Sequence, residues 1–360
     1  MFSLFPNLVP RSSILVPRSS ILDPRSSFLA PRSSDLILKV EGLKKYFPIT
    51  RGFLQSVTGW IKAVDGVDLE IESGRTLGLV GESGCGKTTV GRLVLKLLEP
   101  DEGSIVYRGV DISKFSPEEM KPLRREMQII FQDPYGSLNP RMTVGQSIEE
   151  GLRTIGMKGR GERKERVTEL LQMVGIAPSA SERYPHEFSG GQRQRIGIAR
   201  ALSVKPSLLI CDEPVSALDV SIQAQILNLL KELQENLGLS YLFISHDLHV
   251  VGYISDVVAV MYLGKIMEYA TTDELFERPL HPYTLALLSA VPSAEKRSRP
   301  KGQPLSGDVP TPMNPPPGCK FQVRCPLSEE RCRKEEIPLI RVNEQHQVRC
   351  WKVHPQKPLE

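Results

Sequence analysis

Three short apolar runs dominate the hydrophobic pattern of the chain, and each stops abruptly at polar residues. Thr76-Leu-Gly-Leu-Val80 stops at a glycine-rich turn. Ser207-Leu-Leu-Ile-Cys211 stops at Asp212 and Glu213, and Ser240-Tyr-Leu-Phe-Ile244 at Ser245-His246-Asp247. Unbroken apolar runs of this length are strands covered on both faces, as in a parallel sheet. Further strands are predicted at Leu36–Val40, Val67–Ile71, Ser104–Tyr107, Met127–Phe131, Val257–Tyr262 and Lys265–Tyr269. Helices are predicted at Thr88–Leu98, Val144–Ile155, Gly161–Val174, Gly191–Ser203 and Val220–Asn236, with a short one opened by His281-Pro-Tyr-Thr284. The helical block interrupts the strand rhythm and reads as an insertion at about 135–200. The fold class is α/β.

The turn after the first run carries the chemistry. Gly81-Glu82-Ser83-Gly84-Cys85-Gly86-Lys87-Thr88-Thr89 fits G-x-x-x-x-G-K-[ST], the phosphate-binding loop. Glycines let the backbone curl so that successive N–H groups point at a phosphate. Lys87 supplies a charge for the β- and γ-phosphates of ATP, and the Thr88 hydroxyl can reach the Mg²⁺ between them. A strand before the loop and a helix after it are the context the motif requires, because the helix N-terminus faces the anion. A core of this kind is a P-loop NTPase.

Other candidates lie at strand and helix ends. Asp212 and Glu213 are two carboxylates at the C-terminal end of a central strand, costly there unless they meet a cation or do chemistry. Side chains alternate along a strand, so Asp212 can face Mg²⁺ while Glu213 faces an attacking water. His246 lies at the same sheet edge, where ligands bind. Ser189, Gly190, Gly191 and Gln192 open a helix and offer a second anion site. Tyr46 is the candidate for stacking on adenine, with Trp60 a weaker alternative.

Composition narrows the class. At 360 residues the chain has room for about two domains. A net charge of +4 gives no bulk footing for nucleic acid. Mean hydropathy is −0.19, and no apolar run reaches the about 18 residues a membrane span needs. Over residues 1–35, Arg-Ser-Ser recurs at Arg11, Arg18, Arg25 and Arg32, each after a proline, a spacing that breaks helices. This segment reads either as a disordered basic arm touching acidic lipid or as an upstream stretch included by a wrongly assigned start; the second reading is preferred. Residues 291–317 are proline-rich and read as a semi-rigid linker. Cys319, Cys325, Cys332 and Cys350 cluster near the end without a C-x-x-C pair, so zinc-ribbon spacing fails; four thiolates can still hold zinc or a [4Fe–4S] cluster.

Taken together and in order, these motifs over about residues 36–270 resemble the ATP-binding subunit of ABC transporters. The resemblance implies an antiparallel N-terminal β subdomain beside the parallel sheet. It implies that residues 81–89 are the Walker A loop and that Gln132 is the Q-loop glutamine, which touches Mg²⁺ and senses the transmembrane partner. Ser189 to Gln192 is similar to the signature motif, with Phe188 where the family usually has leucine. Asp212 resembles the Walker B aspartate, Glu213 the catalytic base, Ser216 to Asp219 the D-loop, and His246 the switch histidine.

Phe131 to Pro140, His281-Pro-Tyr-Thr284 and the cysteine tail narrow the resemblance to the ATPases of dipeptide/oligopeptide importers, the second of the two such systems use. That implies residues 271–317 as helix and linker, and 318–360 as a small C-terminal Cys-rich module of the kind associated with a [4Fe–4S] cluster. It also implies a cytoplasmic, membrane-peripheral ATPase powering peptide import. Its partners would be a second ABC ATPase subunit, two permease subunits and an extracytoplasmic solute-binding protein. A nickel or oligosaccharide importer is the alternative. A non-transport ABC ATPase would show a coiled-coil insertion or tandem cassettes, and neither is visible.

Overall fold

The computed structural model describes residues 36–51, 56–133, 135–289, 310, 313 and 315–353. The Arg-Ser-Ser repeat and most of the proline-rich linker lie outside the described residues. The first strands are β1 (Leu36–Arg51), β2 (Ser56–Glu72) and β3 (Thr76–Val80), followed by α1 (Lys87–Val94), β4 (Glu102–Tyr107), β5 (Val110–Asp111), α2 (Pro117–Glu126) and β6 (Met127–Ile130). The helical block holds α3 (Val144–Thr154), α4 (Arg160–Met173) and α5 (Gly190–Leu202). Then come β7 (Leu208–Asp212), α6 (Val220–Leu237), β8 (Ser240–Ser245), α7 (Leu248–Ile254), β9 (Val257–Tyr262), β10 (Lys265–Thr271), α8 (Thr272–Glu277) and α9 (Pro282–Ser289). The tail adds α10 (Glu330–Lys334), β11 (Ile340–Asn343) and β12 (His346–Val348).

Two sheets result. A four-stranded antiparallel sheet runs β2-β1-β4-β5, and an eight-stranded mixed sheet runs β11-β12-β10-β9-β3-β8-β7-β6. In the second sheet β6, β7, β8, β3 and β9 are parallel. The apolar runs are covered on both faces, and their alternation shows how. Leu208, Ile210, Leu242 and Ile244 join the core shared with α1 and the antiparallel sheet. Leu209, Cys211, Tyr241 and Phe243 join the core under the helical block. Capping boxes set the helix starts: Ser116 with Glu119, Thr143 with Gln146, and Ser189 with Gln192.

Three features depart from the expected pattern. The strands expected at Leu36–Val40 and Val67–Ile71 are parts of one long hairpin, β1–β2, whose register shifts break the alternation that would have revealed it. Helix α1 stops at Val94 rather than Leu98, because Lys96 turns at φ +51° and sends its buried ammonium to the Ser113 carbonyl, 2.6 Å away. The tail is not a separate Cys-rich module. Its hairpin β11–β12 pairs with β10, Glu268 opposite Val348 and Ala270 opposite His346, and so continues the main sheet past an edge that would otherwise expose unpaired N–H and C=O groups.

This junction buries charge. Glu268 is fully enclosed and accepts from the N–H groups of Leu280 (2.7 Å) and His281 (3.0 Å), with His346 Nε2 at 2.7 Å. Burial holds His281 down at about 4, with the Glu268 charge opposing and Arg349 adding. The sign follows. The unfolded chain takes up a proton at His281 near pH 6.5 and the folded chain only near 4, so stability is full above 6.5 and drains away as pH falls toward 4. Between about pH 7 and pH 4.5 the loss at this one group is about 2 kcal/mol. Thermal unfolding of wild type and His281→Asn across that range checks it. The variant's Tm should decline less steeply; parallel curves would remove His281 as the cause.

Candidate ATP site

The C-terminal ends of β3, β7 and β8 meet at one edge of the sheet, and the functional side chains project from there. The loop after β3 is shaped by close approach. A Cβ on Gly86, which sits at φ +110°, would lie 2.0 Å from the Ala63 carbonyl oxygen. One on Gly81 would lie 2.1 Å from the Met261 carbonyl oxygen. Lys87 is buried, and its ammonium donates to the carbonyls of Gly81 (2.7 Å) and Glu82 (3.1 Å), tying the loop to its own helix start. Cys85 is buried against Gly81, whereas Ser83 and Gly84 are exposed and Thr89 is half-buried.

Asp212 and Glu213 diverge as their alternation requires. Thr88 Oγ1 donates to Asp212 Oδ1 at 2.9 Å. Burial raises the Asp212 pKa, with the Thr88 hydrogen bond opposing and the Glu213 charge adding. This pair of oxygen donors at the loop's helix start suits a hard cation such as Mg²⁺. Glu213 turns away at φ +47°, a left-handed conformation rare for a side chain of this size, and its N–H donates to the Ile244 carbonyl at 2.9 Å. One carboxylate oxygen, Oε2, accepts from Gln132 Nε2 at 3.0 Å and lies 3.3 Å from His246 Nδ1. Gln132 is therefore bonded to Glu213 rather than to the Thr88–Asp212 pair.

Some candidates stand apart. The side chains of Ser189 and Gln192 close on each other's N–H groups at 3.3 and 3.0 Å, and Gly190 and Gly191 face Leu218 and Ile222. That helix start makes no hydrogen bond to the loop or to the carboxylates among the described residues. Tyr46 is half-buried on β1 opposite Lys62, one residue from the Ala63 carbonyl that abuts Gly86. Its hydroxyl donates to Asp65 and the Lys62 ammonium lies 5.4 Å over its ring.

The iron–sulfur expectation finds no support among the described residues. The four tail cysteines are free thiols, and among the described residues no three His, Cys, Asp or Glu side chains are grouped to hold a metal ion. Cys319 and Cys332 pack as small apolar groups in the core under the helical block, Cys350 in another cluster with Val342 and Val348. Burial pushes the Cys319 thiol up to about 11, with the other three sulfurs adding.

Sequence reasoning missed two residues at the loop. The Tyr283 hydroxyl accepts from the Glu82 N–H at 2.9 Å, and Arg324 grips the Glu82 carboxylate. Tyr283 belongs to a motif the sequence displays, without local cues to its target. Arg324 stands 242 residues from Glu82, and no sequence signal spans that distance.

A phosphate-loop sequence between a strand and a helix, a Thr–Asp pair of oxygen donors and a carboxylate beside Gln132 and His246, all on one sheet edge, are the arrangement of a P-loop ATPase. Comparison with known proteins carries this further. A family model described as "ABC transporter" matches residues 64–216, and one described as "Oligopeptide/dipeptide transporter, C-terminal region" matches residues 267–332. The chain is 56% identical over 307 residues to the oligopeptide transport ATP-binding protein AppF of Bacillus subtilis, covering 84% of this chain and 93% of that relative. It is 50% identical over 325 residues to OppF of Escherichia coli, with coverages of 89% and 97%. Among solved structures, cbiO1 from Clostridium perfringens superposes with a TM-score of 0.58 at 30% identity, over 68% of this chain and 92% of that one. The dimeric ABC transporter cassette MJ0796 gives 0.59 at 27%, over 65% and 98%. The chain belongs to the ABC transporter family and is an ATP-hydrolysing transport ATPase.

Proposed function

We propose that the chain is the ATP-hydrolysing subunit of a peptide importer, carrying no substrate site of its own. The observation that supports this most is the match of residues 267–332 to the C-terminal region of oligopeptide and dipeptide transporters, joined to relatives named for oligopeptide transport that cover the tail as well as the ATP site. No helix among the described residues is long and apolar enough to cross a membrane. In keeping with relatives named for oligopeptide transport, the subunit works against the cytoplasmic face of a permease, supplied by a solute-binding protein.

Residues 81–89 seat the phosphates of ATP on backbone N–H groups and Lys87. Thr88 and Asp212 would hold Mg²⁺, with Gln132 reaching it through Oε1 while its Nε2 stays on Glu213; the ion would neutralise charge on the β- and γ-phosphates. Glu213 takes the proton of the attacking water, its carboxylate held by Gln132 and faced by His246. Tyr46 stacks on the adenine. Ser189 to Gln192 serves a partner's nucleotide instead of its own, in a head-to-tail dimer with a second ATPase domain, consistent with its separation from the other groups. Closure of that dimer reaches the permease through Gln132.

Reconstitution with the permease and solute-binding protein in vesicles tests the assignment. Oligopeptides should stimulate ATP hydrolysis and accumulate inside, dependent on Glu213. Stimulation by nickel or an oligosaccharide, with none by peptide, would reassign the substrate.

A further inference from the structure

Glu82, the second residue of the phosphate loop, is held by two groups from outside the loop. Its N–H donates to the Tyr283 hydroxyl at 2.9 Å. Its carboxylate takes both arms of Arg324, Nη1 to Oε2 at 2.6 Å and Nη2 to Oε1 at 3.0 Å. This is a fork-on-carboxylate pair, with Arg324 only 5% exposed and Glu82 24%. The Glu82 carbonyl is taken from the other side by Lys87. Both outside groups are set by one aromatic cluster. The Tyr283 ring lies 4.8 Å from Tyr262 and 5.3 Å from Phe321, and Phe321 accepts the Arg324 N–H at 3.0 Å. Arg324 also lies 5.9 Å over the Tyr262 ring. Tyr283 is fully enclosed, and its hydroxyl is tied to the Glu82 N–H.

We propose that Tyr283 and Arg324 are positioning residues for the ATP site, making nucleotide affinity depend on α9 and the tail as well as on the ATP motifs. This rests on residues 81–89 being the phosphate cradle. Two effects act in the same direction. The contacts fix the Glu82 peptide, and with it the carbonyl that anchors Lys87 and the N–H groups that follow; a loop ordered before ATP arrives need not be ordered by it. Arg324 also neutralises a carboxylate that would otherwise repel a polyphosphate. Tyr283→Phe removes the first effect alone, and Arg324→Ala removes both.

The test is titration of the full-length chain with a fluorescent N-methylanthraniloyl ATP in Mg²⁺, alongside thermal unfolding without nucleotide. Arg324→Ala should raise Kd about tenfold and Tyr283→Phe about threefold, on the scale that loop misplacement produces. Arg324→Lys, which keeps the charge but not the fork, should fall between wild type and Arg324→Ala. Adding Glu82→Gln to Arg324→Ala should recover part of the loss, because the repelling charge is gone. A merely structural clamp would lower Tm and leave Kd unchanged, and Kd within about twofold of wild type in both single variants overturns the proposal. Should Arg324→Ala fail to fold, Tyr283→Phe and Glu82→Gln read the same contacts. Lys87→Ala separates the underlying reading: wild-type affinity in that variant would show that residues 81–89 are not the cradle.

Discussion

Glu213→Gln retains ATP and Mg²⁺ and hydrolyses about 10²–10⁴-fold more slowly than wild type, the usual loss when a general base is removed. The amide is the same size, so the backbone at φ +47° and the bond to the Ile244 carbonyl stay in place. What disappears is the charge on the oxygen that faces Gln132 and His246. With ATP bound and turnover stopped, the dimer with a second ATPase domain should accumulate and elute as such by size-exclusion chromatography. Phosphate release and nucleotide binding measured on one preparation decide the matter, and near-normal turnover would refute the role of Glu213.

Gly86→Ala should weaken ATP binding and slow hydrolysis by about a hundredfold, the cost in rate of an ångström's misplacement at a reacting centre. The added methyl would lie 2.0 Å from the Ala63 carbonyl oxygen and 2.9 Å from the Met261 methyl, at φ +110°. The oxygen is backbone within β2 and cannot swing aside, so the loop itself must open. Overpacking of this kind costs about 1–3 kcal/mol, and Tm should fall with affinity. Isothermal titration with ATP and Mg²⁺ reads the effect; unchanged affinity would mean that the loop does not hold the nucleotide in the shape seen here.

Both experiments address residues that stand out in the chain itself, and the reason is physical. Buried parallel strands must be apolar throughout, so the polar residues that end β3, β7 and β8 are conspicuous, and the chemistry sits at those ends. The bonds between Thr88 and Asp212 and between Gln132 and Glu213 close sequence separations of 124 and 81 residues, but each partner was already marked by its own run. Where no run exists, the pattern is silent. The tail strands β11 and β12 have 4 and 3 residues, too short for a period to register. Helix α2 is capped by Ser116 with Pro117 and Glu119 following, a start signal that stands in the sequence after a strand of only two residues, too short to set it off. For the cysteines, closeness along the chain suggested a shared ion; the fold seats Cys319 and Cys332 in one apolar cluster and Cys350 in another, and no metal-holding group is found among the described residues.

The arginine grip on Glu82 also has a consequence in time. A ribosome makes the phosphate loop 242 residues before it makes Arg324, and the β11–β12 hairpin comes later still. A nascent chain, or one cut short by a protease upstream of the tail, has every ATP motif and Tyr283 but lacks the arginine that grips the Glu82 carboxylate. On the proposal that Arg324 positions the loop, full nucleotide affinity arrives only when synthesis has run through the tail.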